Sequence, residues 1–166
     1  MRASSLNWQE MPNFSNTEWP DNVLYYMDER IIYALSDIRQ KTGCPIYPSP
    51  VARAHVRHDN SGSRHSTLNK TRLSDATDFF CSLENSMEIL KAIQNHPDIR
   101  GYGIYDSMRF GGKAGEMAMF HIDTRPRGIV CWWGKGRDPV NYIYMSPEEL
   151  KEYLKSFLSI KLNKED

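Results

Sequence analysis

In the run Met119-Phe-His-Ile-Asp-Thr-Arg-Pro-Arg127 a histidine and an aspartate stand two positions apart within a strand-like pattern. Side chains alternate along a strand, so His121 and Asp123 leave the same face. Upstream lie His65, in Ser63-Arg-His65, and Asp78, in Ser74-Asp-Ala-Thr-Asp78-Phe-Phe. Two imidazoles and a carboxylate are the protein's share of a catalytic zinc site, whose fourth position is left for water. Such a site also needs an acid that takes a proton from that water. Asp123 and Glu116, the latter closing the loop Gly111-Gly-Lys-Ala-Gly-Glu116, are the candidates. Asp123 has a second possible role, orienting the His121 imidazole from behind. The three ligands come from separate segments and no short H-x-x-x-H motif is present, so spacing alone leaves ordinary structural histidines as the alternative. His55 and His58, in the same long polar loop as His65, are either substitute ligands or solvated loop residues.

The elements that must position these groups are readable from periodicity. Leu24, Met27, Ile31, Leu35 and Ile38 recur at helical steps from Val23 onward, and Gly43 marks the expected stop. Pro45-Ile-Tyr-Pro-Ser-Pro-Val51 is too rich in proline for a central strand, although its end can pair at a sheet edge. A loop then runs to about residue 70. Ala76-Thr-Asp-Phe-Phe80 reads as a strand, and Leu83, Met87, Leu90 and Ile93 as a helix limited by Pro97. Strands are expected at Gly101-Tyr-Gly-Ile-Tyr105, over residues 117–123, and at Ile129-Val-Cys-Trp-Trp133. Ser146, Pro147 and Glu149 form a capping box that starts the last helix. Its stripe is Leu150, Tyr153, Leu154, Phe157 and Leu158. This order, without regular alternation, predicts an α+β domain with a small, mainly antiparallel sheet flanked by helices.

At 166 residues, 40% hydrophobic and 25% charged, the chain suits one domain. Residues 1–166 are read as that domain, with its core over about 23–160 and residues 1–22 as an N-terminal extension. Equal numbers of basic and acidic residues, 21 of each, give no long-range pull toward nucleic acid or anionic membrane. Cys44, Cys81 and Cys131 are odd in number and far apart, which argues for buried thiols rather than a disulfide framework. The first residues lack the apolar stretch of a signal peptide, and no apolar run is long enough to span a membrane. The expectation is synthesis in the cytoplasm. No nucleophile-elbow glycine pattern surrounds a serine or cysteine, which leaves a serine or cysteine hydrolase without support.

Taken in order, Ser63-Arg-His65, Ala76-Thr-Asp78, Gly101-Tyr-Gly-Ile-Tyr105 and Phe120-His-Ile-Asp-Thr-Arg125 with the tryptophans that follow resemble a known family. It is the zinc D-Ala-D-Ala carboxypeptidase family of the hedgehog/DD-peptidase superfamily. Murein endopeptidases and phage lysins are its most similar members in pattern, and the likeness covers about residues 23–133. The resemblance implies zinc held by His65, Asp78 and His121, a hedgehog/DD-peptidase-like fold, and peptidoglycan stem peptides as substrate, cut next to a D-amino acid. It implies an arginine, Arg53 or Arg57, that holds a substrate carbonyl or terminal carboxylate. Trp132, Trp133, Tyr102 and Tyr105 are candidates for the cleft wall, with core packing as the alternative. Delivery to a cell wall would come from lysis, a holin or a phage particle. The sequence departs from the family in two places. The stretch between His65 and Asp78 is lengthened, and Ala118 stands where many relatives carry an acid. Both departures also allow a non-catalytic cell-wall-binding or phage structural module on the same fold.

Overall fold

Asp28 opens the first α-helix. Its carboxylate accepts the backbone N–H of Arg30 and so caps α1, Glu29–Thr42, which ends at Gly43 in the left-handed conformation (φ 65°). The helical periodicity that begins at Val23 is split, because Val23–Tyr26 forms a separate 3-10 turn, Met27 bridges to Ser74 and Asp28 bridges to Arg2. The computed structural model describes residues 1–106, 109–110, 113–114, 117–136 and 140–162. Two further α-helices follow, α2 at Ser86–Gln94 and α3 at Pro147–Leu162. The start of α3 carries the expected capping box, with Ser146 N–H donating to Glu149 and Glu149 N–H donating to Ser146 Oγ.

The strands are β1 (Tyr47–Pro48), β2 (Ala76–Ser82), β3 (Gly101–Tyr105), β4 (Arg109–Phe110), β5 (Lys113–Ala114), β6 (Met117–Asp123), β7 (Val130–Lys135) and β8 (Asn141–Met145). Six of them form one sheet in the order β1-β2-β6-β3-β7-β8, while β4 and β5 pair with each other. Neighbours in the large sheet are antiparallel except β3 and β7, which run parallel. The class is therefore α+β with a mixed sheet, mainly antiparallel and with one parallel pair among the described strands.

Strand alternation sorts the sheet into two chemically different faces. Phe79, Cys81, Phe120, Ile122, Tyr102, Ile104, Cys131 and Trp133 point to the face covered by the helices. They join Ile31, Leu35, Ile38, Ile89, Leu90, Ile93, Leu150 and Leu154 in one core. The opposite face carries Asp78, His121, Asp123 and Trp132. Residues 1–22 are a correction to the sequence reading. Ala3, Met11, Phe14 and Trp19 are buried in the same core, so this segment is part of the domain and not an extension to it. Among the described residues no helix is long and apolar enough to cross a membrane, and all three cysteines are buried free thiols.

Candidate metal centre

On the open face of the sheet the register lines up a row of residues across four strands. Asp78 on β2 faces His121 on β6, which faces Gly103 on β3, which faces Trp132 on β7. His65 reaches the row from the loop before β2, and all three candidate ligands are buried. His65 Nε2 lies 3.0 Å from His121 Nδ1 and 3.3 Å from Asp78 Oδ1, and His121 Nδ1 lies 2.8 Å from that same oxygen. Three ligand-type atoms thus face one another at hydrogen-bond distance. A tetrahedral zinc ion with bonds of about 2.0–2.1 Å needs donor separations of roughly 3.3 Å, so a small opening of this triangle admits one. Two imidazoles and a carboxylate are also the donor types that suit zinc among common cations. The group can hold a metal ion.

Asp123 stands behind the triangle. It is fully buried, and its Oδ2 accepts His121 Nε2–H at 3.2 Å. Arg125 holds that carboxylate through Nε at 2.7 Å, a terminal nitrogen at 2.6 Å and its backbone N–H. With Nε2 committed as a donor, His121 presents Nδ1 to the metal position. His65 has no such support, since its buried Nδ1 is without a partner.

The charges follow from these contacts. Burial alone would raise the Asp78 carboxyl, but His65 and the hydrogen bonds from both imidazoles hold it well below the usual carboxylate range. Burial opposes charge on His121, yet its bonds to Asp123 and Asp78 outweigh this and push it up to about 9. Asp123 is held low against the pull of burial by Arg125 and His121. These contacts favour the protonated imidazole in the metal-free protein, so a cation at this position would compete with the proton on Nδ1.

Glycines make the room for this arrangement. A Cβ at Gly101 would overlap the Asp123 carboxylate, one at Gly103 the Trp132 indole, and one at Gly134 the Tyr105 ring. The Gly101-Tyr-Gly-Ile-Tyr105 pattern thus places its two glycines on the site face and Tyr102 and Ile104 in the core.

The triad opens on a cleft of about 370 Å³, also bordered by Arg57, Arg64, Arg125, Tyr105, Trp132, Tyr142 and Tyr144. Among the described residues Asp78 is the one carboxylate that lines it. Arg57 stands on the rim, its Nε bonded to the Arg53 carbonyl at 3.3 Å. Arg53 borders a different surface hollow, beside Asp21, Tyr26 and His58, and not this cleft. Of the four aromatic candidates, Trp132 and Tyr105 line the cleft. Trp133 packs against Tyr153 and Phe157 in the core, together with Tyr102. Glu116 lies outside the described residues.

The other loop histidines are not at the triad. His55, expected as solvated if not a ligand, is fully buried, bonded to Thr77 Oγ1 and the Ser49 carbonyl, both at 2.7 Å. Burial holds its pKa down at about 4. His58 is exposed, bonded to Thr67 Oγ1 and packed on the edge of Tyr26. Three cleft residues were missed by sequence reasoning. Arg64, which pairs with Asp75, is adjacent to His65 in the chain. Tyr142 and Tyr144 alternate on β8, a period-two signal present in Asn-Tyr-Ile-Tyr-Met. Comparisons of this chain with protein-family models, with curated proteins and with solved structures found no match.

Proposed function

We propose that the protein is a zinc-dependent peptidoglycan peptidase that cuts a stem-peptide bond next to a D-amino acid. The observation that carries this reading is the convergence of His65, Asp78 and His121 on one point at the floor of an open cleft. Three ligand-type atoms from separate segments, brought within one small triangle, are what a cation site requires. The order and context of these residues, similar to the zinc D-Ala-D-Ala carboxypeptidases, supports zinc as the ion and stem peptides as the substrate.

When bound, zinc supplies Lewis acidity toward a peptide carbonyl and toward water at neutral pH. The chain's own residues do the rest. Asp123 fixes the ring of His121 and keeps the proton on Nε2, while Arg125 keeps Asp123 ionised. Arg57, on the rim, pairs with a carbonyl or carboxylate oxygen of the peptide and orients it. Glu116 takes a proton from the attacking water and returns it to the departing nitrogen. The test is digestion of purified peptidoglycan by protein of known zinc content, with released peptides read by mass spectrometry. Chelator-sensitive release of D-alanine or new amine termini is expected.

A second reading, a non-catalytic wall-binding or phage structural module, is favoured by Ala118, which puts no acid on β6 where the resemblance expects one. Intact muropeptides after incubation with a zinc-replete sample, across several wall chemotypes, would select it.

A further inference from the structure

One aromatic side chain in the cleft, that of Trp132, carries a buried polar atom with no hydrogen-bond partner. Trp132 is nearly buried and packs beside His121, with ring centroids 5.0 Å apart. The indole edge that bears Nε1 rests over Gly103, in the space a Cβ would fill. Gly103 is the residue paired with His121 across β3 and β6. The side chain thus reaches back from β7 so that its N–H lies about one strand spacing, roughly 5 Å, from the ligand strand. Nε1 is buried and makes no hydrogen bond, whereas a buried indole N–H ordinarily finds an acceptor.

Tyr105 extends the same feature. It lies on the same face two residues beyond Gly103, its ring seated against Gly134 and its hydroxyl linked to Trp132 and Tyr142 in one polar aromatic group. Burial and the nearby Asp78 push this phenol above its usual range, so it remains a neutral donor. Along the strands the rows succeed one another in a fixed order. Asp123, Gly101 and Val130 come first, then His121, Gly103 and Trp132, then Met119, Tyr105, Gly134 and Tyr142. Arg125 follows Asp123 on one side of the metal row, Trp132 stands in that row, and Tyr105 and Tyr142 lie on the other side. The two ends therefore suit different groups, a charged oxygen at the arginine end and an uncharged acceptor at the tyrosine end.

We propose that Trp132 Nε1, with the hydroxyls of Tyr105 and Tyr142, forms a neutral donor subsite for a backbone carbonyl beyond the bond that is cut. The cleft then takes a peptide with at least one further amide on that side, rather than a bare dipeptide. The spacing supports this, because successive residues of an extended chain advance roughly 3.3–3.6 Å and bring the next carbonyls over Gly103. The inference rests on the peptidase reading of the cleft.

Calorimetry on the zinc-loaded full chain tests it, with non-hydrolysable phosphinate analogues of D-Ala-D-Ala and of an N-acetylated tripeptide as probes. The acetylated tripeptide analogue is expected to bind about tenfold or more tightly than the dipeptide analogue. Trp132→Phe and Tyr105→Phe are each expected to reduce that ratio about threefold to tenfold, with zinc content unchanged. Tyr105→Phe keeps the ring and carries the test if Trp132→Phe does not fold. An unchanged ratio in a folded, zinc-loaded variant overturns the subsite while leaving the peptidase reading intact. Failure of the wild-type protein to bind either analogue overturns the peptidase reading, and the subsite with it.

Discussion

Asp123→Asn is the most informative single change at the metal centre, because it alters the proton inventory behind His121 without altering shape. The carboxylate accepts from four donors: His121 Nε2, Arg125 Nε, an Arg125 terminal nitrogen and the Arg125 backbone N–H. An asparagine has one acceptor oxygen and one donor nitrogen in the same space. If its oxygen faces His121, its NH2 meets the Nε and backbone N–H of Arg125. If its oxygen faces that pair, its NH2 meets His121 Nε2–H. In the neutral ring that binds an ion, the second clash shifts the single proton from Nε2 to Nδ1, the atom that faces His65 and Asp78 and would bind the ion. Either arrangement also removes the negative charge that supports a metal-bound imidazole. Losses of this kind cost roughly ten- to a hundredfold in metal affinity, about 1.4–2.7 kcal/mol. Competition with a chromophoric chelator measures it directly. The metal-free variant should also melt below the wild type, since Arg125 loses its partner. An Asp123→Asn protein that binds zinc within twofold of wild type would refute the assignment of Asp123 as the residue that orients His121.

Glu116→Gln is expected to keep its zinc while turnover falls about a hundredfold or more, the usual scale for loss of a general base. Full turnover in that variant would assign proton transfer elsewhere. Gly103→Ala drives a methyl into the Trp132 indole and should destabilise the protein by about 1–3 kcal/mol and shift tryptophan fluorescence. An unchanged melting curve would contradict the close packing. In the metal-free protein, His55, held neutral with a pKa of about 4, contributes stability that is complete above pH 6.5. That share, up to about 3 kcal/mol, is lost as pH falls from 6.5 toward 4. His121, raised to about 9, contributes in the opposite sense, fully below pH 6.5 and not above its folded pKa. Thermal melts of chelator-treated protein should therefore peak near pH 6.5, and His55→Gln should flatten the acid side. An acid limb unchanged in that variant would remove His55 as its cause.

What could be read from the sequence had a local period or a local cap. The alternation of His121 and Asp123, the Ser146 capping box and the stop at Gly43 are written in consecutive residues, and each has the same meaning in isolation as in the fold. What was missed depends on distant partners. The helical pattern from Val23 is real as a pattern, yet Met27 bridges to Ser74 and Asp28 to Arg2, so the α-helix starts only after them. Met11, Phe14 and Trp19 carry no period because they plug the core one at a time, which made their segment look like an appendage. His55 sits in a polar stretch that reads as solvent-exposed. Its burial depends on Thr77 and the Ser49 carbonyl, neither of which is a helical or strand neighbour. Tyr142 and Tyr144 did alternate with Ile143 and Met145, and β8 was legible in principle.

The stretch between His65 and Asp78 is tied down at both of its ends. His65 is anchored from its N-terminal side. Arg57 N–H donates to the His65 carbonyl, Thr67 N–H donates to the Arg57 carbonyl, and Ser66 Oγ–H donates to the carbonyl of Asp59. Arg72 then closes the loop from the far side, its Nε on the Ser66 carbonyl and a terminal nitrogen on that of Ser63. Between these two clamps Leu68, Asn69 and Lys70 all adopt positive φ, 46°, 54° and 72°, and turn the chain back at the surface. Such a conformation is costly for leucine and lysine, and it falls on exposed residues that touch none of the three ligands. Ser74 adds a third tie by donating its hydroxyl to the His55 carbonyl. The backbone strain of this stretch is thus confined to the tip of the turn. The backbone that sets the His65 ring is fixed by bonds to residues 57 and 59, so the distances from His65 Nε2 to Asp78 and His121 do not depend on the length of the turn.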